Sequence, residues 1–422
     1  MAWLRKPRVI ELSAVGEKPA VAGGKAIRKE FLDFARPRLS DASIEGVIGT
    51  LKSGWLTTGP RVAELEGHFA RLQGRQYAIG LNSCTAGLFL ALVRFGVGPG
   101  DEVITTPLTF AASANVILHL GAKPVFADVN PGDWYNLDPD AAEAAVTPKT
   151  KGMLLVHYAG RPLDIDRLEE IAAKRGLFTI GDCAHAIEAT YGDEPVGKRF
   201  DFTAFSFYAN KNATSGEGGM LCTDDEDAAG WYKVMRLHGM DKDAHNRFTS
   251  PHTGTYDIRA AGYKFNMPDI AAAILKPQLD DLEMHLGRRR EIWELYNDGL
   301  KDIQGVEVPP VDKPGCRHAL HVYSLHINPE MAGFTRDDMA GGLLAEKIGI
   351  GVHYTPVHLF TAYREILGTC PGMFPCAEYF GMNTLSLPFT PYLSDRDASD
   401  VIDAFKRLAA YLPTADTTAG AD

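Results

Sequence analysis

From about residue 64 to 223 the sequence alternates short apolar runs with stretches of helical period, and this alternation narrows the choice of fold more than any other feature. YAIGLNS (77–83), DEVITT (101–106), KPVFADV (123–129), GMLLVHY (152–158), LFTIGD (177–182) and DFTAFSF (201–207) read as buried strands bounded by Gly, Pro and Asp. Several intervals between them are helix-like. The clearest is 162–175, where Asp164 can cap, Ile165, Leu168, Ile171 and Ala172 form an apolar stripe, and Gly176 can end the helix. Strands that are apolar along their whole length need cover on both faces. The pattern therefore predicts an α/β fold, a mostly parallel sheet between layers of helices.

After Pro277 the pattern changes. Leu279, Leu282, Leu286, Trp293, Tyr296 and Leu300 recur at helical spacing along a charged stretch, which predicts one long amphipathic helix. It leads to a smaller block with strand-like HVYSLHI (321–327) and GIGVHY (349–354) and a final helix near 397–411. The expected organisation is an N-terminal arm (1–30), a large domain (31–275), a small C-terminal α+β domain (276–412) and a tail (413–422). Arm and tail lack a hydrophobic period, and no internal repeat or low-complexity segment stands out.

Charge and cysteine usage then limit the partners. With 43 Lys+Arg against 54 Asp+Glu, the 422-residue chain carries a net charge of −11. That balance argues against a nucleic-acid binder, which gains affinity by neutralising phosphates, and gives no attraction to an anionic membrane. The longest apolar run, 87–98, is broken by Arg94 and falls short of the ~20 residues of a membrane span. MAWLRKPRVIEL carries charges where a signal peptide would be apolar, so the cytoplasm is the expected compartment. The cysteines at 84, 183, 222, 316, 370 and 376 form no CxxC and no metal-ligand spacing, so no metal is expected and the thiols read as reduced and mostly buried.

In an open α/β sheet, ligands bind beyond the carboxyl ends of the strands, and three strand ends carry unusual residues. The first runs into Asn82, Ser83, Cys84, Thr85, Ala86 and Gly87 and then an apolar helix. Backbone N–H groups and hydroxyls at a helix start can cradle a phosphate; the same residues also serve as a plain N-cap. LFTIGD ends in Asp182, followed by Cys183, Ala184 and His185. A carboxylate there needs a cation or hydrogen-bond donors, or it is a turn or cap residue, and His185 alone reads as a packed histidine. FSFYANK (205–211) places Lys211 just past a strand and before the glycine-rich NATSGEGGM. A partly desolvated lysine loses its proton more easily and can form a Schiff base, although a lone lysine is more often a solvated charge. Taken together, the three ends supply what a pyridoxal 5′-phosphate site needs: Lys211 to hold the aldehyde, Asp182 to keep the ring nitrogen protonated, and a phosphate cradle. Phe110, in PLTF (107–110), offers a face for ring stacking or belongs to the core.

At this point the sequence resembles the nucleotide-sugar aminotransferases of the DegT/StrS type, fold-type I pyridoxal phosphate enzymes. The likeness runs from about residue 31 to 411 through GWLTTGP (54–60), NSCTAGL (82–88), GPGDEVITTPLTFAASAN (98–115), GAKPVFADV (121–129), VHYAGRPLDI (156–165), GDCAHA (181–186), FSFYANKNATSGEGGM (205–220), LHGM (237–240) and GYKFNMPDIAAAI (262–274). HYAGRP and GYKFN look most like the branch that makes UDP-4-amino-4-deoxy-L-arabinose. The resemblance implies that Lys211 is the Schiff-base lysine and proton shuttle, and Asp182 the partner of the pyridinium nitrogen. Ser83, Thr85, the Ala86 backbone and Ser206 then match phosphate-binding positions, Phe110 the stacking aromatic, and His185 a Gln or His beside the ring oxygen. It further implies a homodimer with shared active sites, in which GWLTTGP and GYKFN match lent segments and Lys264 reaches the neighbour's phosphate. The sequence departs from the family at Cys84, where Gly or Ala is usual, and at Lys264, where many members have Asn.

The implied reaction takes an amino group from glutamate and gives it to a keto sugar carried on UDP or dTDP. Thr58, His157, His238, His353 and His358 lie in segments that match substrate-side loops, and for each a purely structural role stays open. Alternatives are an aminotransferase acting on a keto cyclitol, a pyridoxal phosphate-dependent sugar dehydratase, and a non-catalytic regulator of the same fold. Related dehydratases carry His where this chain has Lys211, and the intact set of Lys211, Asp182, Ser206 and Thr85 speaks against a regulator.

Overall fold

A computed structural model of the chain describes residues 18–241 and 256–415. Residues 1–17 of the expected arm and 416–422 of the expected tail lie outside the described residues.

The six expected strands form as β1 (Tyr77–Leu81), β2 (Glu102–Thr105), β3 (Lys123–Phe126), β4 (Thr150–Val156), β5 (Phe178–Asp182) and β6 (Phe202–Ser206). A seventh, β7 (Gly219–Thr223), completes a sheet of order β1-β7-β6-β5-β4-β2-β3. All pairings are parallel except those of β7, which runs antiparallel to both β1 and β6. The sequence reading missed β7 because GMLCT follows its glycine-rich turn without a helix between.

Two apolar layers explain why these strands lack polar alternation. Met153 and Leu155 of β4 join Ile104, Phe205 and Met220 on one face, whereas Leu154, between them, joins Val103, Ala204 and Leu221 on the other. The first face is covered by Leu65 and Phe69 of α2 (Pro60–Leu72), which follows α1 (Asp41–Ser53). The second is covered by Leu88 and Leu92 of α3 (Cys84–Arg94) and Val116 of α4 (Ala111–His119). The helix expected at 162–175 is α5 (Ile165–Arg175): it starts later because Asp164 is its cap, accepting the Arg167 N–H at 3.4 Å, and Gly176 ends it at φ +66°.

The single long helix expected after Pro277 is instead two. Pro277 lies inside α6 (Asp269–Asp280), and Asp281, at φ −95° and ψ 0°, separates it from α7 (Leu282–Leu300). Leu279 packs with the large-sheet core, while Trp293, Tyr296 and Leu300 enter a second core. That core lies under a three-stranded antiparallel sheet, β8 (Val306–Glu307), β9 (Ser324–Ile327) and β10 (Thr384–Ser386), with α8 (Arg336–Ala345) and α9 (Asp395–Ala415).

Of HVYSLHI only Ser324–Ile327 pairs as a strand. GIGVHY forms no strand, with a single bridge from Gly351 to Ser386. Its glycines pass too close to the preceding chain for a side chain, since a Cβ on Gly349 would lie 2.8 Å from the Phe34 nitrogen. The described part of the arm is tied down: the buried Glu346 carboxylate accepts the Ala20 and Ile27 N–H groups at 2.8 and 2.7 Å and pairs with Arg407. Cys84, Cys183 and Cys222 are buried, but Cys316 and Cys376 are half-buried and Cys370 is exposed, so the thiols are less buried than expected. Among the described residues no helix is long and apolar enough to cross a membrane.

Candidate active site

The carboxyl ends of β4, β5 and β6 and the start of α3 open into a cavity of about 460 Å³ that brings together Thr85, Phe110, Asp182, His185, Ser206 and Lys211. Asp182 ends β5 at its floor. Its Oδ2 accepts the Ser113 hydroxyl at 2.9 Å, and its Oδ1 accepts the Ala184 N–H at 3.1 Å and the Cys84 thiol at 3.9 Å. Burial pushes the Asp182 carboxyl up, while Ser113, the Ala184 N–H and the Lys211 charge hold it back. Burial and the Asp182 charge push the Cys84 thiol far up, so the residue that departs from the family pattern stays a protonated donor.

Lys211 sits in the turn after β6, its backbone N–H donating to the Tyr208 carbonyl at 2.9 Å. Burial lowers its amine to about 8, against the opposing pull of Asp182 and Cys84. A lysine in that range supplies a neutral amine near neutral pH.

At the start of α3, Ser83 is an N-cap whose Oγ accepts the Ala86 N–H at 3.1 Å. The cap is also the cradle's rim, because Ser83 and Thr85 line the cavity. Gly219 of β7 lets this turn approach the sheet: a Cβ there would sit 2.2 Å from the Ser83 carbonyl carbon. Ser206 Oγ accepts the Tyr208 N–H at 3.3 Å and stays on the cavity wall. Phe110 is 65% exposed although it lines the cavity, its ring 6.5 Å from that of Tyr354, so its face is free to stack on a flat ligand.

The histidines divide. His185 Nε2 shares a hydrogen bond of 3.0 Å with the Tyr354 hydroxyl, its ring 4.4 Å from that of His321, and burial keeps it neutral. His353 also lines the cavity, with Nδ1 2.9 Å from Ser386 Oγ and its pKa pushed down to about 4 by burial. His157 lines it with Nδ1 accepting the Leu163 N–H at 3.2 Å and its pKa lowered by burial to about 3.

Five expected residues are not among those lining the cavity of their own chain. Ala86 is buried in the first turn of α3, where its N–H is taken up by the Ser83 Oγ cap at 3.1 Å. His358 is buried, with Nε2 3.0 Å from Glu378 Oε1 and its ring edge-on to Phe374 at 4.7 Å. His238 is exposed, at φ +57° in the left-handed region. Thr58 is buried, donating to the Met267 carbonyl at 2.6 Å and accepting from the Asn266 amide at 2.7 Å. Lys264 is exposed.

Sequence reasoning missed Ser113, Tyr354 and His321. Ser113 stands four residues after Thr109, one helical turn on, and the Thr109 and Ser113 hydroxyls lie 2.9 Å apart; that spacing in PLTFAAS was the available signal. Nothing local marked Tyr354 or His321.

A family model described as the DegT/DnrJ/EryC1/StrS aminotransferase family matches residues 37–406. The chain belongs to this aminotransferase family. The aminotransferase is similar to the spore coat polysaccharide biosynthesis protein SpsC of Bacillus subtilis, 45% identical over 380 residues that cover 90% of this chain and 97% of the relative. Among solved structures it resembles the PMP-form of Spr1654 from Streptococcus pneumoniae, with a TM-score of 0.84, 34% identity and coverage of 90% and 100% of the two chains. A PLP-form of Spr1654 matches with a TM-score of 0.83. It also resembles DesI, solved in the presence of its TDP-sugar product, with a TM-score of 0.81, 31% identity and coverage of 93% and 96%.

Pyridoxal 5′-phosphate is the cofactor of this class of enzyme, and the cavity fits it. A buried carboxylate at the floor suits a protonated ring nitrogen, an amine lowered to about 8 suits an aldehyde, and the uncovered Phe110 ring suits a flat heterocycle.

Proposed function

We propose that this aminotransferase moves an amino group from glutamate to a keto sugar carried on UDP or dTDP, for amino-sugar biosynthesis. The observation that carries the reading is that Asp182 and Lys211 meet in one cavity, each shifted by burial toward its neutral form. DesI with its TDP-sugar product and SpsC of spore coat polysaccharide biosynthesis support a sugar as the acceptor.

Bound pyridoxal 5′-phosphate would supply the aldehyde and an electron-accepting ring. The chain's own groups supply the rest. Lys211 Nζ would hold the aldehyde and would serve as the base and acid that takes and returns the proton at the reacting carbon. Asp182 favours a proton on the ring nitrogen, with Ser113, Cys84 and the Ala184 N–H fixing its carboxylate. Ser83, Thr85, Ser206 and the start of α3 would hold the phosphate. Leu88 and Val156 give the cavity an apolar stretch of wall.

The reading includes a homodimer with shared sites. α1 exposes Ile44, Ile48 and Leu51, an apolar stripe at helical spacing. The Thr58 hydroxyl ties GWLTTGP to GYKFN through Met267 and Asn266, so the two segments would act on a neighbour as one surface, with Lys264 reaching its phosphate. It also includes a cytoplasmic setting, a large domain (31–275) and a small domain (276–412), the latter sending Leu279 and Leu282 into the large-sheet core.

The test is direct. Purified protein should carry a visible absorbance that shifts as glutamate is converted to 2-oxoglutarate, and a UDP- or dTDP-linked keto sugar should then reverse the shift and, with glutamate in excess, sustain turnover at one 2-oxoglutarate per amino sugar. A colourless protein unable to take up the cofactor would refute the reading. Mixing Lys211→Ala with Lys264→Ala chains should restore some activity in heterodimers; no recovery would overturn shared sites.

A further inference from the structure

Lys211 lines a second, smaller cavity of about 40 Å³. Its cationic walls are Arg36 and Arg38, from the segment before α1, and Arg289 of α7; no Asp or Glu is among the lining residues. In a chain of net charge −11, three arginines around one small space beside Lys211 form an unusual concentration. Asn210 and His321 line both cavities together with Lys211, so the smaller space adjoins the larger at the lysine.

The wall is built, not incidental. Arg289 is buried; one guanidinium nitrogen pairs with Glu188, while Nε and Nη1 have no hydrogen-bond partner among the described residues. Arg38 lies over the Tyr392 ring at 5.7 Å, and the Tyr392 hydroxyl donates to the Arg38 carbonyl at 3.2 Å, which holds the arginine segment in place.

Size and charge together suit a small anion. A water needs roughly 10–15 Å³ of such space, so about 40 Å³ gives room for a carboxylate. Guanidinium groups favour carboxylates through paired, charge-assisted hydrogen bonds. We propose that this cavity binds a carboxylate of the amino donor, an inference that rests on the aminotransferase reading above. In an α-amino acid the carboxylate is attached to the same carbon as the amine, and Lys211 stands between the two cavities, where that carbon reacts.

The probe is glutarate, an unreactive dicarboxylate, titrated calorimetrically into the holoenzyme, with inorganic pyrophosphate in parallel. An Arg36→Ala/Arg38→Ala double variant changes two exposed side chains and should fold normally. It should weaken glutarate by about tenfold and raise the KM for glutamate to match, with kcat changed less than about twofold and pyrophosphate binding unchanged. Arg36→Lys/Arg38→Lys should recover part of the loss. Unchanged glutarate binding would overturn the proposal, as would a loss confined to pyrophosphate, which would assign the arginines to the nucleotide. A wild-type holoenzyme that binds glutarate but shows no absorbance shift with any amino acid would sink the aminotransferase reading, a result separable from either.

Discussion

Asp182 and Lys211 sit beyond neighbouring strands, and burial shifts each toward neutrality while the other's charge pulls back. Only a neutral amine adds to an aldehyde, so uptake of pyridoxal 5′-phosphate by the apoprotein should rise about tenfold per pH unit, then level off near the Lys211 value of about 8. A lysine left at 10.5 would show uptake still rising through pH 10. Because the Asp182 charge raises the lysine, Asp182→Asn should move the plateau to lower pH; stopped-flow absorbance between pH 6 and 10 checks both. Ser113→Ala strips a hydroxyl from the buried Asp182 carboxylate and should cost about 1.5–3 kcal/mol across folding and cofactor affinity, read from thermal melts with and without cofactor. Lys211 and Asp182 were legible because strand ends in an open sheet face the ligand. Ser113 was not, since its partner lies 69 residues away.

At the scale of elements, the meeting of β7 with the start of α3 shapes the phosphate rim. A Cβ on Gly219 would lie 2.2 and 2.4 Å from the Ser83 carbonyl carbon and Cys84 nitrogen, both backbone atoms that cannot swing aside. Gly219→Ala should therefore destabilise by about 1–3 kcal/mol or more and weaken cofactor binding. Gly230→Ala, at a helical position with open space around it, should leave stability equal or up to about 1 kcal/mol higher; equal melting temperatures for the two variants would contradict this account. Periodicity revealed the six strands because burial on both faces leaves continuous apolar runs. It failed at 349–354, where glycine marks close approach to Phe34 instead of a strand, and at Asp281, where a backbone break splits a continuous helical pattern into α6 and α7.

At the scale of the whole molecule, apolar packing gathers on both faces of the large sheet and under the small one, while α1 leaves a stripe uncovered, with Ile44, Ile48 and Leu51 48, 45 and 54% exposed. If that stripe meets a second copy, Ile48→Asp should shift the protein from dimer to monomer in analytical ultracentrifugation and lower turnover. A monomeric wild type would contradict it. The sequence alone determined six of the large sheet's seven strands, which residues end them and which family's motifs they carry, since two-sided burial and turn chemistry leave their record within a few neighbouring residues. Only the tertiary structure decided that Ser113, Tyr354, His321 and Arg289 converge on those strand ends. Their partners come from distant stretches of chain, and no local period records which remote side chains will share one cavity.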